Sequence, residues 1–492
     1  MDKDSFKFAQ NPTDIAAAIK ESIDKNRGSL EQFIEKHSVD NKINNNPSQQ
    51  SSTDENTDLK IELPTSKNFF GDKKPFEQIL RGIISLPIKN RTGIYEKIGI
   101  LKERLLEKFV EREVETLGIL SGLFANEPVI MIGPYGTAKT NLIEAMAGLS
   151  SAKYFYYLLN PYTEPDALLG PIDIKAYKRR GEFKRSTKGG VQEGEILFMD
   201  EPFKASNAIR NILLDIMLNN RYKNGNEDIA LPRVGIYFAA NEIPEEQDDA
   251  AFYDRLTLKV FVDYISRKGW AELLLRKGQL DEDAFKEQNS VISTEDIRKI
   301  QKEVRHRYNE VYKNVNLIGK YIDVQSSLAD DNENNNNEHR LSDRMRKKIL
   351  KIAASVSVIF GDEEIKEEHL AVALHFCVPK KKEHVEIVDN IILNHELSPT
   401  YSGLHKLGVV ATELYNYYTE VKKSEGIDTS NFSEKVEKLD ELIQKTEEVC
   451  KAYHENLILS VYENEVANLV HNVQKYRERI MGKLADKDHN KT

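Results

Sequence analysis

The sequence of 492 residues contains little cysteine and no long apolar run. Its two cysteines, Cys377 and Cys450, lie far apart and lack metal-ligand spacing, so neither a disulfide framework nor a zinc site is expected. No apolar run approaches the roughly 18 residues of a membrane-spanning helix. The amino terminus has neither the basic segment nor the apolar core of a secretion signal. These absences predict a cytoplasmic protein without a membrane span.

The chain has fewer basic than acidic residues, with 70 Lys and Arg against 80 Asp and Glu. The formal net charge is −10 and the pI is near 5.7, a balance that disfavours general binding to nucleic acid. With 40% hydrophobic and 30% charged residues, the composition is that of a soluble globular protein. The length allows about two to four domains, each able to bury a core.

A phosphate-binding loop is predicted at residues 133–140. The apolar run at 129–132 is typical of a buried strand, and Gly133 and Gly136 permit the backbone conformations that turn N–H groups toward an anion. The helical pattern that follows points its positive end at the same place. Lys139 is expected on the β- and γ-phosphates of ATP, and Thr140 on Mg²⁺. The candidate nucleotide-binding residues are Gly133, Pro134, Tyr135, Gly136, Thr137, Ala138, Lys139, Thr140 and Asn141.

The loop departs from the common pattern G-x-x-x-x-G-K-[ST] at one position, where Ala138 replaces Gly. A strand-to-helix turn without a ligand is therefore an alternative interpretation of this segment alone.

A second apolar run at residues 196–199 ends in two adjacent carboxylates, Asp200 and Glu201. The run predicts a buried strand. In a P-loop ATPase, the first carboxylate holds Mg²⁺ and the second takes a proton from the attacking water. The alternative is a strand that leads into an acidic helix start.

Two further residues downstream are of types that ATP hydrolysis uses. Asn241 ends a third apolar run, where its amide would orient the lytic water, and Arg255 precedes a strand-like segment, where it would act as an arginine finger toward a neighbouring subunit. Alternatively, Asn241 forms a turn and Arg255 an ordinary ion pair.

Six motifs together make the chain resemble the MoxR branch of AAA+ ATPases, and within it the RavA-like members. They are GPYGTAKT at 133–140, YTEPDALLGP at 162–171, ILFMDEPFKAS at 196–206, AANEIPE at 239–245, FYDR at 252–255 and LSDRMR at 341–346. RavA-like loops also carry Ala before the Lys, whereas Tyr135 stands where the family usually has Pro.

The resemblance implies a Mg²⁺-dependent ATPase that assembles into a homo-hexameric ring. It assigns Arg344 as a second sensor of the γ-phosphate, acting within its own subunit or across the interface. It further implies a chaperone-like role with a partner that carries a von Willebrand factor A domain and with a protein client. Two alternatives are a nucleic-acid translocase and a nucleotide-gated scaffold with little turnover.

The expected fold is an α/β P-loop AAA+ domain, with helices on both faces of a parallel sheet, followed by an all-α lid and a C-terminal helical hairpin or coiled coil. The expected parts are an N-terminal extension with short helices and a disordered linker at 1–92, the α/β domain at 93–268 with an insertion at about 165–194, the lid at 269–398 and the helical arm at 399–492.

Two segments of the chain have open roles. The basic stretch 173–188 predicts a β-hairpin that projects toward the pore of a ring, where Tyr177 or Phe183 would grip a client; a simple solvated hairpin is the alternative. In the C-terminal arm, an apolar heptad pattern with a phase slip predicts a hairpin or coiled coil, either a partner-binding arm or packing against the lid.

Overall fold

The computed structural model describes residues 75–88, 92–181, 184–224, 227–243, 251–275, 290–334, 341–424, 432–453 and 459–489. The predicted N-terminal helices and linker before residue 75 lie outside the described residues, as does Phe183.

The described chain alternates helices and strands up to residue 261 and is helical thereafter. The strands are β1 (Val129–Ile132), β2 (Tyr154–Leu158), β3 (Ile196–Asp200), β4 (Arg221–Asn224), β5 (Glu227–Ala230), β6 (Gly235–Ala240) and β7 (Leu258–Phe261). The helices are α1 (Pro75–Ser85), α2 (Ile94–Lys108), α3 (Glu113–Ala125), α4 (Lys139–Leu149), α5 (Pro165–Leu169), α6 (Ile174–Arg180), α7 (Asn207–Asn219), α8 (Arg267–Leu275), α9 (Thr294–Glu310), α10 (Val315–Asn334), α11 (Asp343–Phe360), α12 (Glu367–Cys377), α13 (Glu383–Asn394), α14 (Pro399–Ser424), α15 (Phe432–Tyr453) and α16 (Leu459–His489).

Five strands form a parallel sheet in the order β2-β3-β6-β1-β7, and β4 and β5 form a separate antiparallel pair. Side chains alternate between the two faces of the sheet, as the pleat requires. Phe238 packs into the core cluster shared with α7, whereas Tyr237 donates from the other face to the carbonyl of Ile119 in α3 at 3.1 Å. Helices therefore cover both faces, and the predicted fold class is confirmed.

Helix α3 is buried between the sheet and the helices that follow it. Helices α9 and α11 pack against it. Lys351 of α11 pairs with Glu127, just beyond the end of α3, at 2.6 Å, and the Ser355 hydroxyl donates to the Ser121 carbonyl at 2.9 Å. These contacts show that α11 runs antiparallel to α3.

The predicted β-hairpin at 173–185 is wrong, because residues 174–180 form helix α6. Asp173 caps the helix by accepting a hydrogen bond from the Lys175 N–H at 2.8 Å, and one antiparallel bridge joins Ile172 to Arg185. The sequence alternates over too few residues to define a strand. Its Lys, Ala and Arg residues are good helix formers, and the side chains described in α6 are exposed, so no buried face favours a strand.

The C-terminal region is helical, as predicted, and contains three long helices. Helices α14, α15 and α16 pack against one another. Lys445 of α15 pairs with Glu413 of α14 at 2.7 Å, and the rings of Tyr418 and Tyr476 meet edge to face at 5.0 Å between α14 and α16. The phase slip in the heptad pattern marks the junction of α15 and α16, so the arm is a three-helix bundle. Among the described helices, none is long and apolar enough to cross a membrane.

Candidate nucleotide site

The turn between β1 and α4 has the backbone geometry of an anion-binding loop. Gly136 and Ala138 adopt positive φ angles of 76° and 63°. A Cβ at Gly133 would lie 2.0 Å from the Val262 carbonyl oxygen, so only glycine fits there. Ala138 adopts the left-handed conformation at the position where the strict motif has glycine. For a residue with a Cβ, this conformation costs about 1 to 2 kcal/mol.

Lys139 is the first residue of α4, and its side chain is buried against this loop. Its Nζ donates to the carbonyls of Gly133 at 2.7 Å and Pro134 at 2.9 Å, and to Asn241 Oδ1 at 3.2 Å. Burial lowers the pKa of Lys139, while the carboxylates of Asp200 and Glu201 oppose that shift. The ammonium group therefore sits between the loop and two acidic side chains.

Glu201 stands directly after β3 and adopts a positive φ of 55°. Its Oε1 accepts a short hydrogen bond from Asn241 Nδ2, and Lys204 Nζ lies 3.4 Å from its Oε2. Asn241 follows β6, the neighbour of β3 in the sheet. Lys139, Asn241 and Glu201 thus form a continuous chain of hydrogen bonds.

Asp200 ends β3 beside Glu201. Burial and the neighbouring Glu201 raise its pKa, and Lys139 opposes this. Tyr156 of β2 donates to Asp200 Oδ2 at 3.4 Å. Thr140 lies in the first turn of α4. The glycine-containing loop and Lys139 fit the phosphates of a nucleoside triphosphate, and the oxygens of Thr140 and Asp200 are of the type that Mg²⁺ prefers.

The two predicted arginines, Arg255 and Arg344, lie away from this cluster of polar residues. Arg255 precedes β7 and therefore lies at the amino-terminal ends of the parallel strands, which we call the amino edge of the sheet. β7 is parallel to β1, and Leu258 at its start stands opposite Val129 at the start of β1. Its guanidinium donates to the Ala251 carbonyl. The phosphate-binding loop lies at the carboxyl edge, so Arg255 is separated from it by the length of the strands.

Arg344 lies at the same amino edge. Lys348, one helical turn later, donates to Thr257 Oγ1 at 2.8 Å, and Lys351 meets Glu127. The seven helical steps from Arg344 to Lys351 add about 10 Å of helix, and the four residues of β1 about 13 Å of strand. Arg344 is exposed, on the order of 20 Å from the loop of its own subunit. The structure therefore brings Lys139, Asp200, Glu201 and Asn241 together and places both arginines at the opposite edge.

Sequence reasoning missed three residues around the site: Arg112, Tyr156 and Lys204. Arg112 donates to the Thr137 carbonyl inside the loop at 3.3 Å and lines a cavity of about 280 Å³ with Glu115, Arg81 and other side chains. Of these three residues, only Lys204 could have been found from the sequence, because it lies three residues after Glu201. Arg112 and Tyr156 act on residues 25 and 44 positions away, and no local pattern indicates such contacts.

Comparison with known proteins identifies a family and several relatives of this chain. The family described as the MoxR domain in the MoxR-vWA-beta-propeller ternary systems matches residues 96–302. Two uncharacterized proteins of Methanocaldococcus jannaschii are also similar to this chain. One is 34% identical over 57% of this chain and 70% of its own length, and the other 32% identical over 60% and 75%. A crystal structure of a "putative ATPase" from Cytophaga hutchinsonii is similar with a TM-score of 0.49 and 15% identity, covering 61% of this chain and 94% of its own.

The family match covers the loop, β3 and β6, which carry the clustered polar residues. The chain belongs to the MoxR-type AAA+ ATPases.

Proposed function

We propose that this chain is a RavA-like motor that hydrolyses ATP in a homo-hexameric ring and uses the energy to remodel a protein complex. The observation that carries the proposal is the hydrogen-bonded chain from Lys139 through Asn241 to Glu201, next to Asp200. It combines a phosphate-binding cation, an amide and a general base at one end of a parallel sheet, where ligands of such folds bind.

The proposed reaction is an in-line attack of water on the γ-phosphorus of ATP. Lys139 exchanges its loop carbonyls for phosphate oxygens, Asn241 orients the water, and Glu201 accepts the water proton as the new P–O bond forms and the bond to ADP breaks. Thr140 and Asp200 would hold Mg²⁺, which neutralises charge on the phosphates.

Arg255 and Arg344 act in trans in this proposal. Both lie at the amino edge, far from their own loop, and a guanidinium near the γ-phosphate stabilises the charge that develops there. A neighbouring subunit in a head-to-tail ring would present this edge to the site. Full turnover therefore requires assembly.

Helix α6 is the proposed contact for a client protein. Ile174 and Tyr177 are 63% and 47% exposed, next to the exposed Lys175, Lys178 and Arg179. Exposed apolar groups among cationic ones suit an acidic, partly apolar segment. The match to the MoxR domain of ternary systems supports a von Willebrand factor A domain protein as the partner.

The experiment is steady-state ATP hydrolysis by the wild type and Glu201→Gln across protein concentration, with particle mass measured in ATP. We expect turnover per subunit to rise as rings form. Glu201→Gln should form rings and lose at least about 100-fold in turnover, as expected for removal of a general base. An assembled wild type without turnover would favour a nucleotide-gated scaffold, and turnover that depends on DNA or RNA would favour a translocase.

A further inference from the structure

Arg112 is a buried arginine with three backbone acceptors. It ends the turn between α2 and α3 and is 6% exposed. Its Nε donates to the Thr137 carbonyl at 3.3 Å, one Nη to the Glu111 carbonyl at 2.9 Å and the other Nη to the Asp263 carbonyl at 2.9 Å. The planar guanidinium thus joins three segments: the α2–α3 turn, the phosphate-binding loop and the segment after β7.

The contact with Thr137 has a consequence for the next peptide N–H. A trans peptide is planar, so the carbonyl of Thr137 and the N–H of Ala138 point in opposite directions. With the carbonyl held toward Arg112, the Ala138 N–H points to the side away from Arg112. Ala138 needs this support because its left-handed conformation is unfavourable for a residue with a side chain.

The surroundings of Arg112 keep the guanidinium in place. Glu115 lies 3.5 Å away as an ion-pair partner with 4% side-chain exposure. The Asp263 segment is held in turn by Lys382, which pairs with the Asp263 carboxylate. Removal of Arg112 would leave the Asp263 carbonyl and Glu115 without this donor, and it would remove the hydrogen bond that joins the α2–α3 turn to the Thr137 carbonyl.

We propose that Arg112 is a positioning residue for the phosphate-binding loop, which holds the Thr137–Ala138 peptide in the orientation that binds the nucleotide phosphates. This inference rests on the proposed nucleotide binding. It adds a residue without a place in the six motifs of the sequence, and it assigns Arg112 an effect on affinity rather than on the chemical step.

The test compares Arg112→Gln with Arg81→Gln. Arg81 lines the same cavity but pairs with Glu113 at 2.5 Å, so the control removes the same charge without removing the hydrogen bond to Thr137. Binding of Mg·ADP is measured by calorimetry, and KM and kcat for ATP by steady-state hydrolysis. We expect Arg112→Gln to weaken ADP binding and raise KM about tenfold, with kcat within about twofold, and Arg81→Gln to match the wild type.

Arg112→Lys keeps the charge beside Glu115 but lacks the fork that reaches three carbonyls, so we expect intermediate affinity. It also serves if Arg112→Gln fails to fold, as judged by circular dichroism. Equal ADP affinity in the wild type and the folded Arg112 variants would overturn the inference, as would an equal loss in Arg81→Gln. A wild type that does not bind ADP would instead contradict the proposed function itself.

Discussion

Burial controls the ionisation of Glu115, which lies in α3 among charged neighbours. Desolvation raises its pKa from an ordinary value of 4.5 to about 7, although Arg112 and Arg81 oppose this. The folded state therefore binds the proton more tightly than the unfolded chain. The stability that this provides is complete below pH 4.5 and is lost as the pH rises through about 7.

Glu115→Gln should remove this dependence. Above pH 7 we expect the variant to be more stable than the wild type, by at most about 3 kcal/mol, and near pH 4.5 we expect little difference. Denaturant unfolding between pH 5 and pH 8.5 measures the difference, with the exposed Glu96→Gln in α2 as a control. A constant difference across this range would show that Glu115 does not titrate there.

At the scale of secondary structure elements, α3 depends on glycine for its close packing. A Cβ at Gly122 would lie 2.0 Å from Val129 Cγ2 of β1, and one at Gly118 would lie 2.6 Å from Val260 Cγ2 of β7. These two glycines, one helical turn apart, let the helix backbone approach the sheet. Helix α3 begins directly after Arg112, so its packing against the sheet also fixes the α2–α3 turn.

Gly122→Ala should therefore destabilise the protein, although alanine favours a helix by about 1 kcal/mol. We expect overpacking to cost about 1 to 3 kcal/mol net. Gly319→Ala in α10 is the matched control, because a Cβ there meets nothing within 4 Å, and it should be neutral or stabilising. Thermal unfolding of both variants decides the matter; a stabilised Gly122→Ala would mean that α3 can shift away from β1.

The strands that build the site could be predicted from the sequence because they are buried on both faces. The apolar runs before Gly133, Asp200 and Asn241 have no polar side to confuse their pattern. Parallel strands then bring these polar residues to one edge of the sheet, so the cluster follows from the strand assignments.

The rest depends on contacts that no local pattern encodes. The side chains of helix α6 that the structure describes are all exposed, so the alternation of residue types there carried no information about burial. Arg112 is adjacent to other charged residues, and only the fold brings it to Thr137. The distance of Arg344 from its own loop follows from the antiparallel packing of α11 on α3, which the order of the motifs does not reveal.

At the scale of the whole molecule, the proposed site is divided between two edges of the sheet. The loop, Asp200 and Glu201 lie at the carboxyl edge, and Arg255 and Arg344 at the amino edge. In the proposed ring, complementary halves at opposite edges would meet in heterologous, head-to-tail contacts, which close if the rotation between subunits permits.

This division predicts complementation between two inactive variants. Glu201→Gln lacks the proposed general base but keeps Arg255, whereas Arg255→Ala lacks the proposed arginine finger but keeps Glu201. Alone, each should hydrolyse ATP at least about 100-fold more slowly than the wild type. Mixed in equal amounts under conditions of subunit exchange, they should recover about a quarter of wild-type turnover, because a productive interface needs one subunit of each kind in the right order.

The same mixture with Arg344→Ala in place of Arg255→Ala tests the second arginine separately. The double variant Glu201→Gln, Arg255→Ala mixed with Arg255→Ala is the control, since no interface in that mixture has both groups. Particle mass in ATP must show rings in every mixture. If rings form but the first mixture stays as inactive as the control, Arg255 does not act from a neighbouring subunit. If only the Arg344 mixture fails, that arginine has no role across the interface, and Arg255 alone completes the site.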